Sequence, residues 1–159
     1  MHLLIVRHAI AVPHGTPDVA DDDRPLTEAG RRKFRRVARG MAKLVRRPDA
    51  LLSSPHLRAW QTAELLAAAW HDVTPEPELT LATGDFAGLE SRLASYGPEQ
   101  LVALVGHEPH LSGLLAYVVD ARAPERFAFR KGGAAMVELK GALSEGGMLH
   151  WFARPRMFR

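Results

Sequence analysis

Hydrophobic residues along this chain fall into two kinds of pattern, and the first kind predicts strands. Short, mostly apolar runs bounded by polar or turn-forming residues occur at 3–6, 50–53 and 101–105. Runs of this length between turn signals are typical of strands that are buried on both faces of a sheet. Two further strands are predicted near the end of the chain, at 134–139 and 148–153, with a glycine-containing turn between them.

The second pattern is helical spacing of apolar residues between the predicted strands. One helix is expected to begin after Thr27, whose hydroxyl suits an N-cap. Its apolar stripe would comprise Phe34, Val37, Ala38, Met41, Leu44 and Val45. Further helices are predicted at about 59–70 and 89–96, and another is expected to begin at Pro109.

The order of these elements predicts the fold class. Strands alternate with helices for most of the length, and the chain then ends in two strands joined by a short loop. This order favours an α/β fold, a three-layer sandwich with a mostly parallel central sheet flanked by helices and some antiparallel pairing at one edge. The proline-rich segment 73–79 is expected to be a connector, and the acidic run 18–24 is expected to be solvated surface.

Composition and charge narrow the classes of function. The 159 residues, 47% hydrophobic and 25% charged, fit one domain over 1–159. The chain has no cysteine, which excludes disulfides, thiolate metal sites and a cysteine nucleophile. Arg7 and His8 interrupt the first apolar run and no small-residue cleavage site follows, so we expect no signal peptide. No apolar run is long enough to span a membrane, and we expect a cytoplasmic protein. A net charge of +3 is compatible with anionic substrates and too small to argue for nucleic acid.

Polar residues follow three of the predicted strands at their carboxyl ends. They are Arg7 and His8, then Ser53 and Ser54 leading to Arg58, then His107 and Glu108. Because the carboxyl ends of parallel strands meet at one edge of a sheet, these side chains are expected to lie together. Guanidinium groups bind phosphate oxygens in pairs and stay charged at neutral pH. The sequence therefore predicts a compact cationic site for a phosphate group.

These motifs resemble those of the histidine phosphatase superfamily. Arg7-His8-Ala9 matches the motif that closes the first strand in that family, the segment 53–63 (SSPHLRAWQTA) is similar to its second arginine motif, and 105–107 (VGH) is similar to its second histidine motif. The motifs occur in order over nearly the whole chain. The small size and the segment 24–27 (RPLT) are similar to the SixA-type phosphohistidine phosphatases. The resemblance implies a phosphoglycerate mutase-like fold and a metal-independent phosphohistidine phosphatase active in signal transduction.

The resemblance also implies roles for individual residues. His8 would be the nucleophile and would form a phosphohistidine intermediate. Arg7, Arg58 and His107 would hold the phosphoryl oxygens, and Arg24 would be a fourth phosphate contact. We expect no metal and no other cofactor, because arginine and histidine supply the positive charge.

The general acid is an open point in the sequence. Glu108 follows the second histidine, where many superfamily members place a carboxylate, but it would also suit the first turn of a helix. Because an imidazole leaving group is protonated more easily than an alkoxide, a P–N bond can be broken without a dedicated acid. Glu76 and Glu78 are expected to be solvated, and His56 either lines the site or lies at the surface.

The expected substrate follows from the shortness of the segment before 101. A small lid implies an open, shallow site, which favours a phosphorylated protein as the substrate, such as a histidine phosphotransfer domain. We expect the enzyme to be a monomer. Two alternatives are a small-molecule phosphomonoesterase or phosphoglycerate mutase-like enzyme, and a non-catalytic phosphate-binding regulator. A third is a metal-dependent hydrolase that uses His107 and His110 as ligands. The basic helix 31–47 is either a solvated face or a docking surface for an acidic partner, and neither nucleic acid nor membrane is an expected partner.

Overall fold

A six-stranded mixed sheet forms the centre of the computed structural model, which describes all 159 residues. Its strands are β1 His2–Arg7, β2 Ala50–Ser53, β3 Pro75–Pro77, β4 Leu101–Gly106, β5 Ala134–Leu139 and β6 Gly147–Ala153. Their order across the sheet is β3-β2-β4-β1-β5-β6. The first four of these run parallel, and β5 and β6 are antiparallel at one edge.

Helices cover both faces of the sheet. They are α1 Glu28–Leu44, α2 Leu57–Trp70, α3 Thr80–Thr83, α4 Phe86–Leu93 and α5 His110–Val118, with 3₁₀ turns at Asp21–Asp23, Pro124–Phe127, Leu143–Glu145 and Pro155–Phe158. Helices α1 and α2 pack on one face, and α3, α4 and α5 pack on the other. This architecture confirms the predicted three-layer α/β sandwich. No helix combines the length and the apolar character needed to cross a membrane.

The register of the central strands positions the site. Strands β1 and β4 pair in parallel with Arg7 opposite Gly106, and β2 pairs with β4 with Ser53 opposite Val105. The carboxyl ends of these three strands therefore lie side by side. Residues 3–6 and 102–105 are fully buried, as expected of apolar strands that are covered on both faces. The start of β5 lies beside the end of β1, because these two strands are antiparallel.

Two local expectations were wrong. The segment 73–79 is more than a connector, since it contains β3, which pairs in parallel with β2 at the sheet edge. Proline is tolerated there because an edge strand leaves one row of its backbone groups unpaired. Leu44 is 71% exposed, because it is the last residue of α1 and has left the buried stripe. The predicted Thr27 cap is confirmed, as its hydroxyl accepts a hydrogen bond from the Gly30 N–H at 2.9 Å.

Candidate active site

The structure brings the four principal residues of the predicted site together. Arg7 and His8 lie at the end of β1, His107 follows β4, and Arg58 lies in the first turn of α2. His8, Arg58 and His107 are only 5%, 6% and 5% exposed. The ring centroids of His8 and His107 are 5.2 Å apart, and His56 lies 4.9 Å from His107 on its other side. His56 therefore lines the site, which the sequence left open.

The backbone fixes His8 in place and sets its tautomer. The His8 N–H donates to the Gly106 carbonyl at 3.0 Å, and the His8 carbonyl accepts from the Gly132 N–H at 3.1 Å. Nδ1 lies 2.7 Å from the Ala9 carbonyl oxygen. Since a carbonyl can only accept, the proton of the neutral ring is on Nδ1 and the lone pair is on Nε2.

The surroundings keep His8 neutral. Burial, together with the charges of Arg58, Arg7 and Lys131, lowers the pKa of His8 to about 3, although the hydrogen bond to Ala9 opposes this shift. Nε2 has no hydrogen-bond partner and is not among the fully buried unpartnered atoms. At neutral pH His8 therefore presents an unprotonated, accessible nitrogen, which is the form a nucleophile requires.

His107 is also neutral and is oriented by Ser54. Its Nε2 lies 2.7 Å from Ser54 Oγ, and the same oxygen accepts from the His56 N–H at 3.3 Å. The Ser54 hydroxyl has a proton that it can donate to His107 Nε2, and in that arrangement the imidazole proton is on Nδ1. Burial, with the neighbouring His8 and Arg58, lowers the pKa of His107 to about 2. His107 can therefore donate a hydrogen bond from Nδ1 without carrying a charge.

Four buried side-chain nitrogen atoms have no hydrogen-bond partner, and all four belong to this site. They are Arg7 Nε, His56 Nδ1, Arg58 Nε and His107 Nδ1. Buried polar groups in proteins are almost always paired, and leaving one unpaired costs roughly 1–3 kcal/mol. Burial also lowers the pKa of both arginines. The arrangement is suited to an anion that supplies several acceptor oxygens.

Glu108 is tied to its neighbours by both carboxylate oxygens. Oε1 accepts from the Phe129 N–H at 2.6 Å, and Oε2 accepts from the Ser112 N–H at 3.2 Å and from its hydroxyl at 2.5 Å. The Phe129 carbonyl in turn accepts from Arg7 Nη1 at 2.6 Å. Glu108 thus positions Arg7 through the Phe129 peptide, an arrangement that leaves neither oxygen directed at a leaving group. Its role as an acid stays a prediction, and this geometry argues against it.

Arg24 lies at the rim of the site and is held there by Asp21. Arg24 Nη1 donates to the Val12 carbonyl at 2.8 Å, and its Nε lies 2.8 Å from Asp21 Oδ1. The Asp21 carbonyl accepts from Arg58 Nη1 at 2.7 Å. The hydrogen bond from His14, followed by those from the arginines, lowers the pKa of Asp21 to about 2. The acidic run is exposed as expected, but Asp21 also clamps two arginines, which the sequence did not indicate.

Sequence reasoning missed Lys131. Burial and the charges of Arg7, Arg24 and Arg58 lower the pKa of Lys131, so its ammonium group lies within electrostatic range of these arginines. The next residue, Gly132, has a φ of +78°, and its N–H donates to the carbonyls of both Arg7 and His8. Antiparallel pairing of β5 with β1 could have indicated Lys131 from the sequence, because the start of β5 then lies beside the end of β1.

Two other acidic and histidine groups lie away from His8. Glu78, expected to be solvated, is only 9% exposed, because its carboxylate accepts from the Thr80 N–H and hydroxyl at 3.1 and 2.7 Å. The one group with metal-ligand spacing is His2, Glu138 and His150, whose ligand atoms lie within 4.8 Å of one another. That group lies at the opposite end of β1 from the site.

Comparisons with known proteins agree with this geometry. Residues 3–112 match the family model described as histidine phosphatase superfamily, branch 1. An uncharacterised protein of the cyanobacterium Picosynechococcus is 38% identical over 117 residues, which is 70% of this chain and 68% of that protein. The structure of the protein histidine phosphatase SixA complexed with tungstate is 26% identical over all of both chains, with a TM-score of 0.85. A putative phosphohistidine phosphatase SixA from Agrobacterium tumefaciens is 25% identical over 97% of each chain, with a TM-score of 0.80.

The chain belongs to the histidine phosphatase superfamily. Within that superfamily it is a hydrolase of the SixA type, a phosphatase. The same fold also occurs in proteins of lower identity. A putative α-ribazole-5′-phosphate phosphatase from Escherichia coli is 16% identical over 98% of this chain and 97% of its own, with a TM-score of 0.78. The fold therefore does not by itself separate protein substrates from small molecules.

Proposed function

We propose that this phosphatase removes the phosphoryl group from phosphohistidine on proteins, through a covalent intermediate on His8. The supporting observation is the group of buried, unpartnered atoms on Arg7, His56, Arg58 and His107. The Nε2 lone pair of His8 lies beside them. A phosphoryl group bound there would accept hydrogen bonds from the nitrogens of Arg7, Arg58 and His107 and would face the nucleophile. The tungstate in the SixA structure is, like phosphate, a tetrahedral oxyanion.

The first step transfers the phosphoryl group to His8. Nε2 of His8 attacks phosphorus, the P–N bond to the substrate imidazole breaks, and the leaving nitrogen keeps the bonding pair and takes a proton from solvent. Arg7, Arg58 and His107 hold the phosphoryl oxygens, and these fixed donors stabilise the charge that develops on them. Arg24 and Lys131 add positive charge at the rim.

The second step returns the enzyme to its starting state. Water attacks the phosphorus of phospho-His8, the bond to Nε2 breaks, and inorganic phosphate leaves. Because Nδ1 keeps its hydrogen bond to the Ala9 carbonyl at 2.7 Å, the imidazole stays in the same orientation and tautomer throughout. The next attack therefore needs no reorganisation of the ring.

The shape of the site supports a protein substrate. The segment between α2 and β4, residues 71–100, contains only the short strand β3 and the two short helices α3 and α4. It is too small to form a large lid, and a site without a lid suits a phosphorylated side chain that projects from a folded surface better than an enclosed metabolite. A histidine phosphotransfer domain as partner, a monomeric enzyme with one domain and a cytoplasmic location stay predictions.

The test is phosphate release from a phosphohistidine-bearing phosphotransfer domain in the presence of excess EDTA. We expect the native chain to be active and His8→Ala to be inactive. His71→Asn is the matched control, since His71 is exposed at the end of α2. Release from small phosphate esters alone, still dependent on His8, would move the substrate to metabolites. Release from neither substrate would favour the phosphate-binding regulator, and loss of activity in EDTA would favour a metal-dependent hydrolase.

A further inference from the structure

A second cationic cavity adjoins the active site on the far side of Arg7. Its volume is about 380 Å³. Its charged lining consists of Arg7, Arg126, Arg130 and Arg154, and no acidic side chain contributes to it. The arginines come from separate parts of the chain: the Pro124–Phe127 turn, the loop before β5 and the residue after β6. The fold therefore brings them together, although they are distant in sequence.

The charges of this cavity are not neutralised within the chain. Some arginines at the surface have carboxylate partners, such as Arg46 with Asp49 at 3.1 Å and Arg92 with Glu76 at 2.7 Å. This cavity differs because several arginines without such a partner line the same space. Arg126, Arg130 and Arg154 are exposed and make no ion pair and no side-chain hydrogen bond. Like charges that gather without counter-charges repel one another, which favours an anionic partner from outside the chain.

The floor of the cavity is aromatic and is connected to the catalytic arginine. The ring of Phe129 meets that of Phe152 edge-on at a centroid distance of 4.8 Å, and Phe152 is 38% exposed. The Phe129 carbonyl accepts from Arg7 Nη1 at 2.6 Å. Arg7 thus forms the wall between the cavity and the phosphate position. A substrate with its phosphoryl group at His8 could therefore place a second anionic group in this cavity.

We propose that this cavity binds acidic side chains of the protein substrate, next to the phosphohistidine that enters the active site. This inference rests on the proposed function. The exposed, flexible arginines suit carboxylates on a docked protein surface, because guanidinium binds carboxylate with two parallel hydrogen bonds. Phe152 offers an apolar contact between the charges. The cavity thus selects phosphorylated proteins that carry acidic residues next to the phosphohistidine, and it adds nothing to the chemical step.

The test compares two substrates in the variant Arg126→Gln/Arg154→Gln. One substrate is a phosphohistidine-bearing phosphotransfer domain with acidic residues around the phosphohistidine, and the other is phosphoramidate, which has the P–N bond and no protein. We expect KM for the domain to rise about tenfold, as for the loss of two exposed charge contacts. The effect on phosphoramidate should be less than twofold. Arg35→Gln/Arg36→Gln, on the exposed face of α1, is the control with the same change of charge.

A second arm places the partner charge on the substrate. When the acidic residues of the domain are replaced by their amides, KM of the native enzyme should rise by a similar factor. The arginine variant should then show little further loss, because the two changes remove one interaction. An unchanged KM, an equal loss with phosphoramidate, or an equal loss in the α1 control would each overturn the docking site alone. Native turnover of phosphoramidate with none of the domain would overturn the proposed function, and the docking site with it.

Discussion

Replacing His8 and His107 by glutamine removes two buried imidazoles whose neutral state depends on the fold. Their pKa values are about 3 and about 2 in the folded chain, against about 6.5 in an unfolded chain. Between these limits the unfolded state binds protons that the folded state does not. The free energy of unfolding must therefore fall as the pH falls below 6.5, and the loss continues until the folded pKa is reached.

The expected magnitude follows from these pKa values. Between pH 5.5 and 4.5 each histidine is almost fully protonated in the unfolded chain and almost fully neutral in the folded chain. Each lowers the free energy of unfolding by about 1 kcal/mol over that unit, and the pair lowers it by about 2–3 kcal/mol.

Urea unfolding at pH 5.5 and 4.5 measures this loss. Over that unit the native chain should lose about 2–3 kcal/mol more than His8→Gln/His107→Gln does. The comparison is made within each protein, so an overall destabilisation of the variant does not affect it. A control variant, His71→Asn/His150→Gln, removes two exposed histidines and should keep the native slope. A native slope no steeper than that of His8→Gln/His107→Gln would refute the conclusion that both imidazoles stay neutral when buried.

Two further predictions concern the groups that hold the arginines. Asp21→Asn removes the carboxylate that competes with phosphate for Arg24 and Arg58. Inorganic phosphate should therefore inhibit more strongly, with an inhibition constant about threefold lower. An unchanged or higher inhibition constant would contradict this competition. Glu108→Gln breaks part of the hydrogen bonding to Phe129, so the free energy of unfolding should fall by about 1–3 kcal/mol. Its loss of kcat should be equal for phosphate esters of good and poor leaving groups, whereas a larger loss for poor leaving groups would identify Glu108 as the acid.

The central strands could be predicted because their environment is simple. Residues 3–6 and 101–105 are continuous apolar runs, and both lie in strands that are covered on two faces. The same runs place His8 and His107 at adjacent strand ends, since parallel strands share one edge. Local pattern and tertiary position agree there, so the sequence leads directly to the site.

The features that sequence reasoning missed depend on pairings between distant segments. Residues 75–77 form a strand only because β2 offers them a free edge, and their two prolines hide it from any local pattern. Lys131 reaches the site because β5 runs antiparallel to β1. Asp21 clamps Arg58 across 37 residues of sequence. An acidic run and a surface lysine look like solvated groups until their long-range neighbours are known.

The burial of β1 has a consequence for how the site moves. Residues 3–6 are fully covered on both faces of the sheet, so we expect their amide protons to exchange with solvent mainly through global unfolding. The Asp21–Asp23 turn is exposed and has no buried residue, so its amides should exchange through local opening. We therefore expect the nucleophile to extend from a slowly exchanging part of the molecule, whereas the carboxylate of Asp21, which contacts Arg24 and Arg58, belongs to a rapidly exchanging turn. Phosphate can displace that carboxylate without disturbing the geometry of attack.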